Sequence, residues 1–235
     1  MGVSRGVTAA ARVLIEGREV ALPVVVRDAT VVTASFVVAA AGVRRLVDPR
    51  LEVAAVFGRT LCIVTAVEYR DNDLGRYDEV GVAFLVRCPR VSRRVGAYIH
   101  RLPVTTAFSC AAGREVWGFP KIVADIRRHD GNGRRTTTLA VDGTHVLTLT
   151  VRVAGRRRVP ERPLDAFAVR DGVLWRTPFT SRAEGLGVRL GGASLALGPH
   201  PIAAELAALG LGRRALASTS IARMQARFEA PERLD

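Results

Sequence analysis

Apolar and polar residues alternate with a period of two along most of the chain, the pattern of strands covered on one face. Between 135 and 153 it is regular: Leu147, Leu149, Val151 and Val153 share one face, and Thr148, Thr150 and Arg152 share the other. Asp142-Gly143 interrupts the run with residues that tolerate a positive φ, so a hairpin is predicted there. Further strands are predicted near 19–27, 60–69, 79–87, 193–197 and 220–228. Helical signals are fewer. One helix is predicted over 33–46, ending before Asp48-Pro49, and another over 202–209, opened by Pro201 and closed by Gly210. The most lipid-like run, 29–43, is shorter than the roughly 20 residues a spanning helix needs and reads as a buried helix. Many antiparallel strands with two or three helices predict an α+β or closed β architecture, and the 235-residue length predicts a single domain over 1–235.

Two faces bear on function. From Glu79, the bulky Val80, Val82, Phe84 and Val86 oppose a mostly small face of Glu79, Gly81, Ala83 and Leu85. If that small face lines a cavity, Glu79 enters it as a carboxylate; otherwise Glu79 is the solvated first residue of a strand after a polar loop. Near the C-terminal end, Ala222, Met224, Ala226 and Phe228 share a face that reads as core by pattern alone.

The chain is 49% hydrophobic and 24% charged, which excludes a disordered protein. Its net charge of +13 raises nucleic acid as a partner. The arginines are scattered in pairs, however, and aromatics for base stacking are only 6% of residues, so an anionic small substrate or partner surface accounts for the charge equally well. Cys62, Cys88 and Cys110 form neither a disulfide framework nor a C-x-x-C motif, and the segment 1–20 is broken by Arg5, Arg12, Glu16 and Arg18 before a leader-like apolar run develops. A cytoplasmic protein is expected. His100, His129, His145 and His200 lack paired ligand spacing, and no phosphate-binding glycine loop precedes a helix, so neither a metal nor a cofactor is expected.

The same charge count holds a sharper fact. Of the 35 Lys and Arg residues only Lys121 is lysine. Nucleotide bias alone can produce such a ratio, leaving the lone lysine an accident. Chemistry offers another reason: a guanidinium stays protonated, whereas a primary amine can lose its proton, attack a carbonyl and form an imine. Lys121 sits in Val116-Trp117-Gly118-Phe119-Pro120-Lys121-Ile122-Val123, with no charged residue nearer than Glu115 and Asp125. Desolvation among such neighbours favours a neutral, nucleophilic amine.

The stretch Gly113-Arg114-Glu115-Val116-Trp117-Gly118-Phe119-Pro120-Lys121 resembles the acetoacetate decarboxylase family, in which the nucleophilic lysine follows a Gly-Arg-Glu, a spacer and an aromatic-Pro pair. Tyr77-Asp78-Glu79 is similar to the family's Tyr-x-Glu, Gly17-Arg18-Glu19 to its N-terminal arginine segment, and the region from Gly198 to Phe228 to its closing helix and strand. The resemblance implies a cone-like antiparallel β-barrel with a few flanking helices. It implies Lys121 as the imine-forming amine, a role the family's lysine fills through desolvation or a neighbouring cation. It further implies Glu79 as a pocket carboxylate and Arg18 as that carboxylate's partner or a substrate anchor, with Trp117, Phe119, Ile122 and Met224 as substrate contacts. A homo-oligomer acting on a small keto acid, without nucleic acid, membrane or cofactor, is the resulting expectation. Two departures stand out. Ile122 occupies the place of the second lysine of the decarboxylases proper, and a further family carboxylate falls by counting at Val64, with Glu68 on the same strand face. Decarboxylation of a β-keto acid leads among the reactions implied; aldol or dehydration chemistry through the same imine is the alternative, and a non-catalytic β-barrel binding a small ligand is the other.

Overall fold

The alternating segments are strands in the computed structural model, which describes residues 11–234; Arg5 and the rest of the first ten residues of the leader reading lie outside them. In chain order the elements are β1 (Arg12–Ile15), β2 (Arg18–Ala21), β3 (Val24–Ala39), α1 (Ala40–Arg44), β4 (Glu52–Val53), β5 (Arg59–Asn72), β6 (Tyr77–Cys88) and β7 (Ser92–Val104). There follow α2 (Ala107–Trp117), β8 (Lys121–Val123), β9 (Asp125–Gly131), β10 (Arg134–Val141), β11 (Thr144–Arg152) and β12 (Arg157–Arg170). The last are β13 (Val173–Leu190), β14 (Ala193–Leu197), α3 (Pro201–Ala208), β15 (Ala217–Phe228) and β16 (Glu232–Leu234).

Seven strands close into a barrel in the order β6-β5-β3-β15-β13-β12-β7, with β7 returning to β6. Six seams are antiparallel and one, β12 to β7, is parallel. This is the strand-rich α+β barrel that the sequence implied. A four-stranded sheet, β14-β11-β10-β9, lies against the barrel's outside. Its hairpin turns at Asp142 and Gly143, both at positive φ, with Val141 opposite Thr144, as the sequence predicts.

The two faces of β6 explain where the core sits. Val80, Val82, Phe84 and Val86 are at most 2% exposed and pack with Phe36 of β3 and with Leu147 and Leu149 of the outer sheet. The opposite, small face turns into the barrel. A second apolar cluster fills one end of the barrel and holds α2 through Cys110, Ala112, Val116 and Trp117.

The predicted helices over 33–46 and 29–43 are corrected: the chain is strand β3 to Ala39, and only the five residues of α1 are helical. β3 is covered on both faces, by the outer sheet at Val32, Ala34, Phe36 and Val38 and by the barrel interior at Val24, Val26 and Val31. Where both faces are covered, apolar residues fill adjacent positions, as at Val31-Val32 and Val37-Val38, so the period of two is weakened and the run mimics a buried helix. The 19–27 prediction is split, β2 ending at Ala21 and β3 beginning at Val24. The helix predicted over 202–209 is α3, with Pro201 in its first turn. Among the described residues no helix is long and apolar enough to cross a membrane.

Candidate active site

Helix α2 delivers the lysine. Thr106 caps its N-terminus by accepting from the Ser109 N–H, and Gly118, at φ 69°, ends it in the left-handed conformation. The Gly118 N–H then donates to Arg114 O (3.1 Å) and the Phe119 N–H to Gly113 O (3.0 Å). The Arg170 guanidinium donates to the exposed carbonyls of Arg114 (2.9 Å) and Glu115 (2.7 Å), a cation placed at the negative end of the helix. Three residues beyond the cap the chain pairs with β7, Lys121 opposite Leu102, and this register turns the lysine side chain into the barrel. The sequence reading missed α2, although Thr106 and Gly118 are ordinary cap residues at its two ends.

Lys121 is 4% exposed, and its Nζ donates to Glu79 Oε2 at 2.8 Å. Glu79, 7% exposed, lies on β6 between Val67 of β5 and Val104 of β7. It is therefore the cavity carboxylate and not a solvated strand end. Its Oε1 accepts from the Tyr69 hydroxyl at 3.2 Å. Tyr69 stacks on Tyr77 with centroids 4.5 Å apart, and the Lys121 ammonium lies 5.0 Å from the Tyr77 ring centroid. Burial first, and the Glu79 charge second, push the Tyr69 hydroxyl well above its ordinary value; burial and the neighbouring Tyr69 and Glu79 do the same to Tyr77. Both tyrosines thus stay neutral donors.

These groups sit in a cavity of about 320 Å³. Of the described residues lining it, only Thr65, Tyr69, Asn72, Tyr77, Glu79 and Lys121 carry polar side chains, apart from Trp117, whose indole N–H donates outward to Glu229 O at 2.9 Å. Asn72 is occupied within its own turn, bonding Gly75 O and the Leu74 N–H. Among the described residues no arginine lines the cavity. Removing a lone buried ion's partner costs about 3–5 kcal/mol, so Lys121 and Glu79 hold each other in place.

Gly113 is a site residue that pattern reading left without a role. A Cβ there would lie 2.4 Å from Lys121 Cδ and 2.6 Å from Cε, so only a hydrogen leaves room for the lysine stem against α2.

Of the residues expected at the site, the structure brings together Lys121, Glu79, Trp117, Phe119 and Met224, all of which line the cavity. Arg18 does not join them. Its guanidinium donates to Asp73 O at 2.9 Å and lies over the Phe108 ring, and the partner of Glu79 is Lys121. Ile122 follows Lys121 in an extended strand, so its side chain turns the other way, is 37% exposed and does not line the cavity. Among the described residues lining the cavity there is no second carboxylate. Val64 is buried in the outer core, and Glu68, on the same face, pairs with Arg128 (2.8 Å) and Arg135 (3.6 Å) outside the cavity. The inward positions of that strand are Ile63, Thr65, Val67 and Tyr69.

The fold is shared with solved enzymes. An acetoacetate decarboxylase from Legionella pneumophila superposes with a TM-score of 0.72 at 16% identity, over 91% of this chain and 87% of that one. The enduracididine biosynthesis enzyme MppR, complexed with the condensation product of pyruvate and imidazole 4-carboxaldehyde, gives a TM-score of 0.63 at 16% identity, over 90% and 88% of the two chains. An acetoacetate decarboxylase-like enzyme from Sphingomonas wittichii RW1 gives 0.62 at 16% identity, covering both chains fully. No curated protein matches the sequence. At such identities the likeness establishes the barrel alone, but the acetoacetate decarboxylase family model matches residues 15–227, a span running from the strand before Arg18 through Glu79 and Lys121 to β15. The chain belongs to the acetoacetate decarboxylase family.

Proposed function

We propose that the protein is an imine-forming enzyme in which Lys121 condenses with the carbonyl of a keto acid, with decarboxylation of a β-keto acid to a ketone and CO2 as its reaction. The observation that carries the reading is the chain's single lysine, buried in an apolar cavity 2.8 Å from a carboxylate. A buried ion pair is weak as a stabilising device, and an apolar pair would serve packing as well. An amine and a carboxylate converging at the buried end of an apolar cavity point to chemistry instead.

The pair supplies the first step. Moving a proton from Lys121 Nζ to Glu79 Oε2 leaves an amine and a carboxylic acid, removing both charges from a low-dielectric site. The amine attacks the keto carbon, and after a proton passes from nitrogen to oxygen, Glu79 protonates the carbinolamine hydroxyl, which leaves as water. The product is an iminium facing the Glu79 carboxylate. The electron pair of the bond to the substrate carboxylate then moves toward the iminium nitrogen, CO2 departs and an enamine remains. The reaction consumes one proton, which Glu79 relays from water to the enamine carbon, and hydrolysis releases the ketone and the free amine. Among the described residues no guanidinium lines the cavity, so none of them gives the substrate carboxylate a fixed counter-charge besides the imine nitrogen, which favours its loss as CO2. The condensation product bound to MppR supports a second outcome of the same iminium, aldol addition to an aldehyde.

Borohydride with acetoacetate, or with pyruvate, is expected to leave a covalent adduct that maps to Lys121, and Lys121→Arg is expected to abolish it. CO2 released from acetoacetate supports the decarboxylase; an aldol product from pyruvate and an aldehyde without CO2 replaces it by the second outcome. An adduct that persists in the variant, or that maps to the N-terminal amine, refutes the reading, and trapping of no keto acid leaves a binding protein.

A further inference from the structure

The cavity is much larger than a four-carbon keto acid requires, and its extra room is directional. Its volume of about 320 Å³ is many times the roughly 10–15 Å³ that a single water needs. The reactive pair lies at the buried end, among Val67, Tyr69, Tyr77, Leu102, Trp117 and Phe119. Half-buried residues mark the other direction, on three neighbouring strands in register: Gly81 opposite Thr65, Ala83 between Ile63 and Ile99, and Leu85 opposite Ala97. All seven line the cavity, and Thr65 alone among them has a polar side chain. From Glu79 to Leu85 the groove follows β6 for six residues, roughly 20 Å at about 3.3 Å per residue. The small side chains of Gly81, Ala83 and Ala97 keep its floor low.

We infer that the substrate carries an extended apolar tail, which lies along Gly81, Ala83 and Leu85 while its keto group reaches Lys121. The inference rests on the imine reading for the keto group and on the groove alone for the tail. Among the described residues lining that path from Gly81 to Leu85 no side chain is charged, so the tail carries no acid or base beyond the keto-acid end. Each methylene that enters the groove is expected to raise kcat/KM about fourfold, the ordinary increment for burying a CH2, until the tail passes Leu85 and Ala97.

The test is a ladder of 3-oxo acids from four to about twelve carbons, scored as CO2 release and as borohydride trapping at Lys121, with methyl ketones of the same lengths titrated calorimetrically against Lys121→Met. The second series reads the groove without an imine. Rising ladders in both support the inference, and Ala83→Phe, which places a ring across the middle of the floor, is expected to collapse the ratio of longest to shortest toward one. A flat ladder in a protein that still traps acetoacetate overturns the tail groove and leaves the imine reading standing. If no keto acid is trapped, the imine reading falls, and the methyl-ketone ladder decides the groove: a flat one overturns it as well.

Discussion

Replacing Gly113 by alanine tests whether the lysine is positioned by the helix that precedes it. A Cβ at 113 would lie 2.4 and 2.6 Å from Lys121 Cδ and Cε, against the 3.5–4.0 Å of ordinary carbon contacts, so the stem must retreat by about 1 Å. The stem has little freedom, being 4% exposed with its Nζ bonded to Glu79 at 2.8 Å; the same displacement would stretch that bond to nearly 4 Å, beyond hydrogen-bond range. Two stability terms oppose each other. Alanine gains about 1 kcal/mol over glycine within a helix, and overpacking costs about 1–3 kcal/mol, so the net loss is about 0–2 kcal/mol. That lowers Tm by only a few degrees in a chain of this size. Reactivity responds more strongly, because misplacing a reacting atom by about 1 Å costs on the order of 10²-fold. The assay is the rate of borohydride trapping at Lys121 beside a thermal melt. Ala111→Gly on the same helix serves as control: it costs about 1 kcal/mol of helix propensity without touching the stem, so its Tm falls while trapping continues at the parental rate. Trapping by Gly113→Ala at the parental rate would refute the positioning role.

Glu79→Gln cannot take the ammonium's proton, and imine formation is expected to slow by about 10²–10⁴-fold. Tyr69→Phe removes one hydrogen bond of 3.2 Å to that carboxylate and is expected to slow it about tenfold; equal effects of the two variants would contradict the proton-transfer role of Glu79. Acid should loosen α3. His100 Nε2 lies 2.6 Å from Glu205 Oε1, and Arg101 donates to Oε2 at 2.9 Å. Burial holds His100 below its ordinary 6.5 despite Glu205, while burial raises Glu205 but hydrogen bonds from Arg101 and His100 outweigh it and leave it below 4.5. Both folded values lie below the unfolded ones, so each contribution is complete above the unfolded value and is lost as pH falls through the folded one. The urea midpoint is expected to drop between pH 7 and pH 4, and Glu205→Gln to flatten the lower part of that curve; a midpoint independent of pH contradicts this. Asp78, which burial raises despite Arg128, works in the opposite direction, and Asp78→Asn separates the two.

Local pattern determined much of this protein. The solitude of Lys121 and its apolar neighbours are properties of the chain itself, and so is the hairpin at Asp142-Gly143, whose turn chemistry acts over two residues. The division of β6 into bulky and small faces is equally local, because successive side chains in a strand alternate. Which face meets the cavity is not local. Glu79 is enclosed only because β5 and β7 flank it and α2 brings Lys121 to it from 42 positions along the chain. The apolar run of β3 misleads for the same reason: an outer sheet and an interior cavity cover its two sides, and neither is encoded within the run. Arg18 and Ile122 show the limit of motif proximity. Arg18 is drawn to the carbonyl of Asp73 and the ring of Phe108, while Ile122 is turned outward by the strand geometry that turns Lys121 in. Side-chain type and alternation are written residue by residue, whereas enclosure arises when distant strands close a barrel, and only that closure makes one lysine and one carboxylate a buried pair.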